Sequence, residues 1–385
     1  MKLVVTVPWG AALGGAEEML RTFLSRVDRE RIDPTVVFFE PGPFERETAS
    51  LGIRTEVVPT GRLRQPHRLA GAVRALARLL GTERADLVLN WTAKAQLYGA
   101  PAAARADMRE RVVWWQHGVP DGQWMDRLAT LLPACAVGCS SAASAEAQRA
   151  LRPGRPVFVV HPGVPFPADP LAKRTLPAVP PGRTVVGIVG RLQPWKGQAR
   201  LLEAVSMLSR EGHDLHLLMV GGEAHGFSAG FESHLHSRVD ALGLGDRVTM
   251  TGHVEDVTPH LAAMDLLVNA SDHEPFGIVL LEAMAQGVPV LAVADAGPRE
   301  IVVPGESGLL VPSSRPEALA EALRPLLADP ELRLRLGRGG RDRVREQFTA
   351  DHMADRLQSK LEGLAGSSPA APPPLPAQVG QEAMP

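Results

Sequence analysis

The chain has 385 residues, of which 45% are hydrophobic and 22% charged, the composition of a soluble globular protein and not of a disordered or fibrous one. Its 41 Lys and Arg nearly balance 43 Asp and Glu, for a formal net charge of −2, which argues against nucleic acid as a partner. The two cysteines, Cys135 and Cys139, exclude a disulfide framework and a four-thiolate zinc site and suit a reducing cytoplasm.

At roughly 150 residues per domain, two domains are expected. No apolar run approaches the roughly 20 residues of a membrane-spanning helix. Met1–Trp9 is too short for a signal-peptide core and reads as a strand. In the first half, strands are expected at Lys2–Pro8, Thr35–Phe39, Thr55–Val58, Leu87–Trp91, Val112–Trp115, Ala136–Cys139 and Val157–Val160. Helical patterns lie between them at Ala16–Val27, Arg68–Leu80, Ala95–Arg105 and Ala142–Leu151. The second half offers strands at Val185–Val189, Leu215–Val220, Val248–Thr251, Leu266–Asn269, Pro289–Val293 and Gly308–Val311. Its helices are expected at Gln198–Glu211, Phe231–Leu242, Phe276–Gln286, Pro316–Leu327 and Glu331–Phe348. Continuous apolar strands alternating with amphipathic helices indicate buried parallel sheets. The fold class is therefore α/β, with two doubly wound, Rossmann-like domains.

Pro162–Pro181 carries seven prolines and little periodicity, which marks an irregular connection. The expected division is a first domain over 1–165, a Pro-rich linker over 166–182 and a second domain over 183–348. A last helix over 349–365 is a candidate to return to the first domain. The Pro-, Ala- and Ser-rich stretch 366–385 reads as a disordered tail. Two open sheets in one chain create a central cleft where the C-terminal ends of their strands face each other, and ligands bind at such ends.

Three stretches carry chemistry. In Gly190-Arg191-Leu192-Gln193-Pro194-Trp195-Lys196-Gly197 a buried strand ends, a cationic loop follows and a helix starts near Gln198. Arg191 and Lys196 can be aimed at one anion there, with the helix N-terminus adding partial positive charge. A diphosphate is the natural candidate, and a surface turn with two solvated cations is the alternative. Only five of the 41 basic residues are lysine, which gives Lys196 extra weight.

The second stretch runs from Asn269 to Gly287. Glu274 sits in its loop, Pro275 suits the first turn of a helix, and Glu282 is the only charge between Phe276 and Gln286. Apolar neighbours surround Glu282, so its carboxylate needs strong donors. A ribose diol supplies two hydroxyls; a structural arginine is the alternative. On one continuous helix Glu274 and Glu282 would sit about 80° and ~12 Å apart, too far for a close acid–base pair but suited to gripping two ends of one long ligand. Gly277, lacking a Cβ, would let a phosphate or sugar approach the helix start. The third stretch, Val112 to Gly118, places His117 just after a strand, with a capping or core histidine as the alternative.

The segment from Glu274 to Glu282 resembles the E-x7-E signature of family 4 of the retaining glycosyltransferases, which have the GT-B fold. The Gly190–Gly197 loop and the opening Gly14-Gly15-Ala16-Glu17 are similar to that family as well. The resemblance implies roles at matching positions. Arg191 and Lys196 would neutralise the donor diphosphate, Glu282 would hold the ribose and Glu274 the hydroxyls of the donor sugar. Backbone amides at Phe276, Gly277, Ile278 and Val279 would cradle sugar and phosphate oxygens. Gly221 and Gly222 would line the nucleotide pocket, Val254 would pack against the base, and His117 would lie near the reaction centre. Gly14 and Gly15 would approach phosphate and acceptor. No cofactor and no metal are implied, the nucleotide diphosphate sugar being a co-substrate. The chain has no D-x-D triad between hydrophobic strands, and His213, His216, His234 and His236 show no carboxylate arrangement that reads as a metal site.

Arg62, Arg64, Arg68, Arg74 and Arg78 accumulate without an acidic residue before Glu83. The stretch is a candidate for peripheral contact with the inner membrane face or with an anionic acceptor, against a solvated helix face. The expected activity is sugar transfer from a nucleotide diphosphate donor, with UDP as the default nucleotide, to an unidentified polysaccharide, lipid or small-molecule acceptor. A sugar-nucleotide epimerase or phosphorylase of the same fold is disfavoured by the Glu274/Glu282 spacing, and a silent nucleotide-sugar binder by the complete charged set. A dehydrogenase is disfavoured because no G-x-G-x-x-G follows an expected strand.

Overall fold

The computed structural model describes residues 1–11, 14–61, 66–170, 172–223 and 228–366. The first domain runs through β1 (Lys2–Val7), α1 (Gly15–Arg26), β2 (Asp33–Phe38), α2 (Pro43–Ser50), β3 (Arg54–Val57), α3 (Pro66–Glu83) and β4 (Leu87–Asn90). It continues through α4 (Ala93–Arg105), β5 (Val112–Gln116), α5 (Trp124–Leu131), β6 (Ala136–Cys139), α6 (Ala142–Ala150) and β7 (Val157–Val159). Among the described residues these strands form one seven-stranded sheet in the order β3-β2-β1-β4-β5-β6-β7, every pair parallel.

The second domain contains β8 (Thr184–Val189), α7 (Gln198–Arg210), β9 (Leu215–Val220), α8 (Phe231–Ala241), β10 (Val248–Met250), α9 (Thr258–Leu261) and β11 (Leu266–Asn269). Then follow α10 (Ile278–Ala285), β12 (Val290–Val293), α11 (Pro298–Ile301), β13 (Leu309–Val311), α12 (Pro316–Ala328), α13 (Pro330–Gln347) and α14 (Ala350–Gly366). The sheet order β10-β9-β8-β11-β12-β13 is the doubly wound order, in which a strand to either side of the first leaves a crevice above its C-terminal end. Leu215–Val220 is buried along its whole length, as a strand covered by helices on both faces must be.

Both chain reversals fall where the motifs lie. In the first sheet the order turns between β1 and β4, so the loop carrying Gly14 leaves the switch point. In the second it turns between β8 and β11, and the loops that follow them are Gly190–Gly197 and Asn269–Gly277. The sheets thus bring the chemistry-bearing loops to one crevice.

The chain crosses between the domains twice, and the crossings lie side by side. Val164 donates its N–H to Phe348 O at 2.9 Å, and Ala350 donates to Val164 O at 2.8 Å. The Pro-rich stretch packs along the second domain: Phe166, Leu176 and Val179 rest on its core, and Lys173 pairs with Asp265 at 2.7 Å. After the second crossing α14 returns to the first domain and inserts Met353, Ala354, Leu357 and Leu361 into a core that also holds Leu3, Val5, Phe23 and Trp115. Arg26–Asp351 and Arg31–Glu362 ion pairs fix its rim. Arg62 and Arg64 of the basic stretch, and the expected tail beyond Gly366, lie outside the described residues. No helix among the described residues is long and apolar enough to cross a membrane.

Candidate active site

The loop after β8 makes one 3-10 turn, Pro194–Lys196, before α7 begins. That turn sends the Lys196 ammonium to Glu274, 2.6 Å away. Gln198 Nε2 donates to the Arg191 carbonyl at 2.9 Å and so fixes the base of the loop from the first residue of α7. The Arg191 guanidinium reaches across the crevice. A methyl group on Gly14 of the first domain would stand 4.0 Å from its carbon and from one of its nitrogens.

The loop after β11 is braced at several points. Asn269 donates to Glu274 through Nδ2 at 3.3 Å and accepts from the Ser271 amide at 3.1 Å. Arg200 pairs with Asp272 at 2.8 Å. The backbone carbonyl of Glu274 accepts from Gly297 N at 3.1 Å. The expected helix over Phe276–Gln286 is corrected here: α10 starts at Ile278, and Gly277 precedes it at φ 99°, a left-handed conformation that breaks the helix. Pro275 therefore lies in the loop and not in the first helical turn. Phe276 is buried against the His161 ring, stacked at 5.4 Å, so only its backbone can serve a ligand. Ile278 and Val279 occupy the first turn, where N–H groups have no acceptor inside the helix.

Glu282 stands one turn further along α10 and is half-buried. No arginine or lysine among the described residues pairs with it, which removes the structural-arginine alternative there. Burial, with the carboxylates of Glu18 and Asp256 adding to it, pushes its carboxyl up to about 7. Glu18 belongs to α1 of the first domain, so Glu282 feels both walls of the crevice. Val254, Ile278 and Val279 are partly exposed apolar residues packed on the same second-domain core. Ile278 also meets the first domain: a methyl group on Gly15 would come within 3.1 Å of its Cδ1.

The loops after β8, β9 and β10 are joined by close backbone approach. Leu192 N donates to Gly222 O and Gly221 N to Gly252 O, both at 3.1 Å. Gly221 takes φ 133°, and a Cβ there would run into the Gly190 carbonyl.

His117 leaves β5 of the first domain with its ring at 4.7 Å from Trp91 and its Nδ1 at 3.2 Å from Ser140 Oγ. The Nε2 atom is withdrawn from solvent and has no partner among the described residues. Burial pulls its pKa down to about 3, against a smaller opposite pull from the Trp91 backbone. It is a neutral imidazole at ordinary pH, suited to hydrogen bonding and not to proton transfer.

Of the residues singled out in the sequence, Gly14 meets Arg191 and Gly15 meets Ile278 across the crevice, and Lys196 meets Glu274 within the second domain. Gly221, Gly222, Val254, Phe276, Gly277, Val279 and Glu282 follow the C-terminal ends of β9, β10 and β11 in the second domain, and His117 follows β5 of the first. Among the described residues no cluster of three or more His, Cys, Asp or Glu is placed to hold a metal ion. The sequence reading missed Asn269 and Arg200, which aim the Glu274 loop, and His161, Gly297 and Glu300 behind it. Asn269 was accessible to it, as a polar residue ending an apolar strand; the others sit in no motif.

Residues 13–166 match the family described as Glycosyltransferase Family 4, and residues 173–343 match Glycosyl transferases group 1. Among curated proteins, the lipopolysaccharide core biosynthesis glycosyltransferase LpsE of Rhizobium meliloti is 38% identical over 184 residues, 48% of this chain and 50% of that protein. A D-inositol 3-phosphate glycosyltransferase of Stackebrandtia nassauensis is 36% identical over 206 residues, 51% of this chain and 46% of that protein. The chain spans about half the length of the curated relatives it matches. Among solved structures, Anabaena Alr3699/HepE in complex with UDP and glucose aligns with a TM-score of 0.79 at 26% identity, over 94% of this chain and 99% of that one. A sucrose-phosphate synthase from Thermosynechococcus elongatus aligns with a TM-score of 0.79 at 23% identity, over 95% and 100% of the two chains, a likeness of fold.

Proposed function

We propose that this chain, which belongs to glycosyltransferase family 4, transfers a sugar with retention of configuration from a nucleotide diphosphate sugar, with UDP as the nucleotide, to a hydroxyl acceptor. The observation that carries the reading is the meeting of Arg191 with Gly14 across the crevice, next to the meeting of Gly15 with Ile278 in the first turn of α10. A diphosphate bound there faces a guanidinium, an ammonium and unpaired helix amides at once. The UDP and glucose of Anabaena Alr3699/HepE support the choice of nucleotide.

Breaking the bond between sugar and diphosphate leaves new negative charge on the departing phosphate. Arg191, Lys196 and the amides of Ile278 and Val279 are fixed before that charge forms, which is the arrangement that lowers a barrier. Glu282 accepts from the ribose hydroxyls, and Val254 packs against the base. Glu274 turns from Lys196 toward the hydroxyls of the sugar. The sugar develops oxocarbenium character, the departing phosphate takes the acceptor's proton, and the acceptor adds on the face the phosphate left. His117 contributes a neutral hydrogen bond near that centre. The two relatives are named for lipopolysaccharide core biosynthesis and for D-inositol 3-phosphate, so an acceptor search starts with saccharides and phosphorylated polyols.

A thermal-shift screen of UDP, GDP and ADP sugars tests the donor. A nucleotide at 100 times its dissociation constant stabilises the chain by about 2.7 kcal/mol. If no nucleotide sugar moves the transition, the reading fails.

A further inference from the structure

The three amides that open α6 are all satisfied, and two of them by the other domain. Ser144 N donates to the N-cap Ser141 Oγ at 3.1 Å. Ala142 N and Ala143 N donate to the two oxygens of Glu300, at 2.8 and 3.2 Å. Glu300 lies on α11 of the second domain. Its carboxylate also meets His161 Nε2 at 2.8 Å, and His161 stands beside the first crossing between the domains.

Each end of this contact continues to a wall of the crevice. On one side, Gly297 directly precedes α11 and donates to the backbone of Glu274 at 3.1 Å; a Cβ at Gly297 would collide with the backbone of Phe276. On the other side, the start of α6 holds the His117 loop twice. Ser140 Oγ meets His117 Nδ1 at 3.2 Å, and Ser144 Oγ donates to Gly118 O at 2.8 Å. An unbroken run of contacts therefore joins Glu274 to His117 through Glu300.

We propose that Glu300 is a positioning residue that latches the two domains together and sets the donor loop of one against the His117 loop of the other. The inference rests on the cleft being the donor and acceptor site. Burial alone would raise the Glu300 carboxyl, but His161 and the two amides outweigh it and hold it below the usual carboxylate range. The carboxylate is thus ionised and pulls on a helix N-terminus, a charge-assisted contact of the stronger kind. Glu300 acts only through the loops it holds.

Two variants test the latch from opposite sides in the full chain. Glu300→Ala removes the acceptor. Ala142→Pro removes one donor without touching Glu300, because proline fits the first position of a helix and Ser141 before it is already extended. The probe is UDP. The expected result for Glu300→Ala is a larger radius of gyration than wild type in small-angle scattering, with and without UDP, and a tenfold or greater loss of kcat. UDP affinity should stay within about threefold of wild type by calorimetry, which also shows that the variant is folded. Ala142→Pro should move scattering and kcat in the same direction by less, and Glu300→Gln should fall between wild type and Ala. Wild-type scattering in both Glu300→Ala and Ala142→Pro overturns the latch, as does a loss confined to UDP affinity. If the wild type binds no UDP, the donor reading fails, while scattering of the unliganded variants still decides whether Glu300 holds the domains.

Discussion

The Lys196 ammonium and the Glu274 carboxylate lie 2.6 Å apart, although 78 positions separate them in the chain. Their side chains are only 16% and 8% exposed, so the pair is largely withdrawn from water. If the crevice takes a diphosphate as proposed, that diphosphate competes with Glu274 for the same ammonium.

Lys196→Ala should lower transfer by about 10²-fold or more, the scale of a lost preorganised charge donor. Part of that loss arises because Glu274 is left buried without its cation. The double variant Lys196→Ala/Glu274→Gln should therefore lose less than the two single variants combined, by roughly 1–3 kcal/mol. Steady-state release of UDP in the presence of acceptor measures it, and strict additivity would show that the two act independently.

The raised carboxyl of Glu282 makes stability depend on pH. Its folded value of about 7 exceeds the ordinary 4.5, so the folded chain binds the extra proton. The stability this lends is complete below pH 4.5 and is lost as the pH climbs through 7, by up to about 3 kcal/mol. Glu282→Gln, neutral at every pH, should match wild type at pH 4 and exceed it in urea midpoint at pH 8. The same variant should bind UDP about tenfold or more weakly at pH 8, where the charged acceptor is lost. A Gln variant that is destabilised at pH 8 would contradict this.

His117 is depressed to about 3 and stays neutral across any assay range. The stability tied to that neutral ring is present above its ordinary value near 6.5 and is lost as the pH falls toward 3. His117→Ala should lower kcat while leaving the shape of the pH–rate profile between pH 5 and 9 unchanged. Disappearance of a limb in that profile would make His117 a proton carrier.

Gly221→Ala meets two penalties at once: φ 133° and the Gly190 carbonyl in the path of a Cβ. Backbone strain and overpacking of this kind cost on the order of 2–4 kcal/mol. Thermal unfolding should show a drop of several degrees, and UDP affinity should fall with it if this approach borders the nucleotide as proposed. An unshifted midpoint would mean that the two loops can part freely.

The sheets were legible because a strand buried on both faces must be apolar throughout, as Leu215–Val220 is. The loops Gly190–Gly197 and Asn269–Gly277 could be read because charge and glycine stand out after such runs. α5 escaped because its large apolar side chains, Trp124, Leu128 and Leu131, are exposed, and a helix that turns such residues outward leaves no core-facing stripe to read. The start of α10 was misplaced because the apolar pattern runs on from Phe276, while the φ of Gly277 is set by the loop it closes. Arg191 beside Gly14, and Glu300 on the start of α6, were not legible. They join residues 177 and 158 positions apart in the chain, and only the assembled sheets define those distances.

The return of α14 has a consequence for synthesis. Leu357 and Leu361 belong to the same core as Leu3 and Val5, so the lobe that leaves the ribosome first stays open on one side until residues near 360 have emerged. A fragment ending near residue 165 would expose that unfinished apolar face to its neighbours, whereas the same fragment fused to residues 350–366 would carry its own lid.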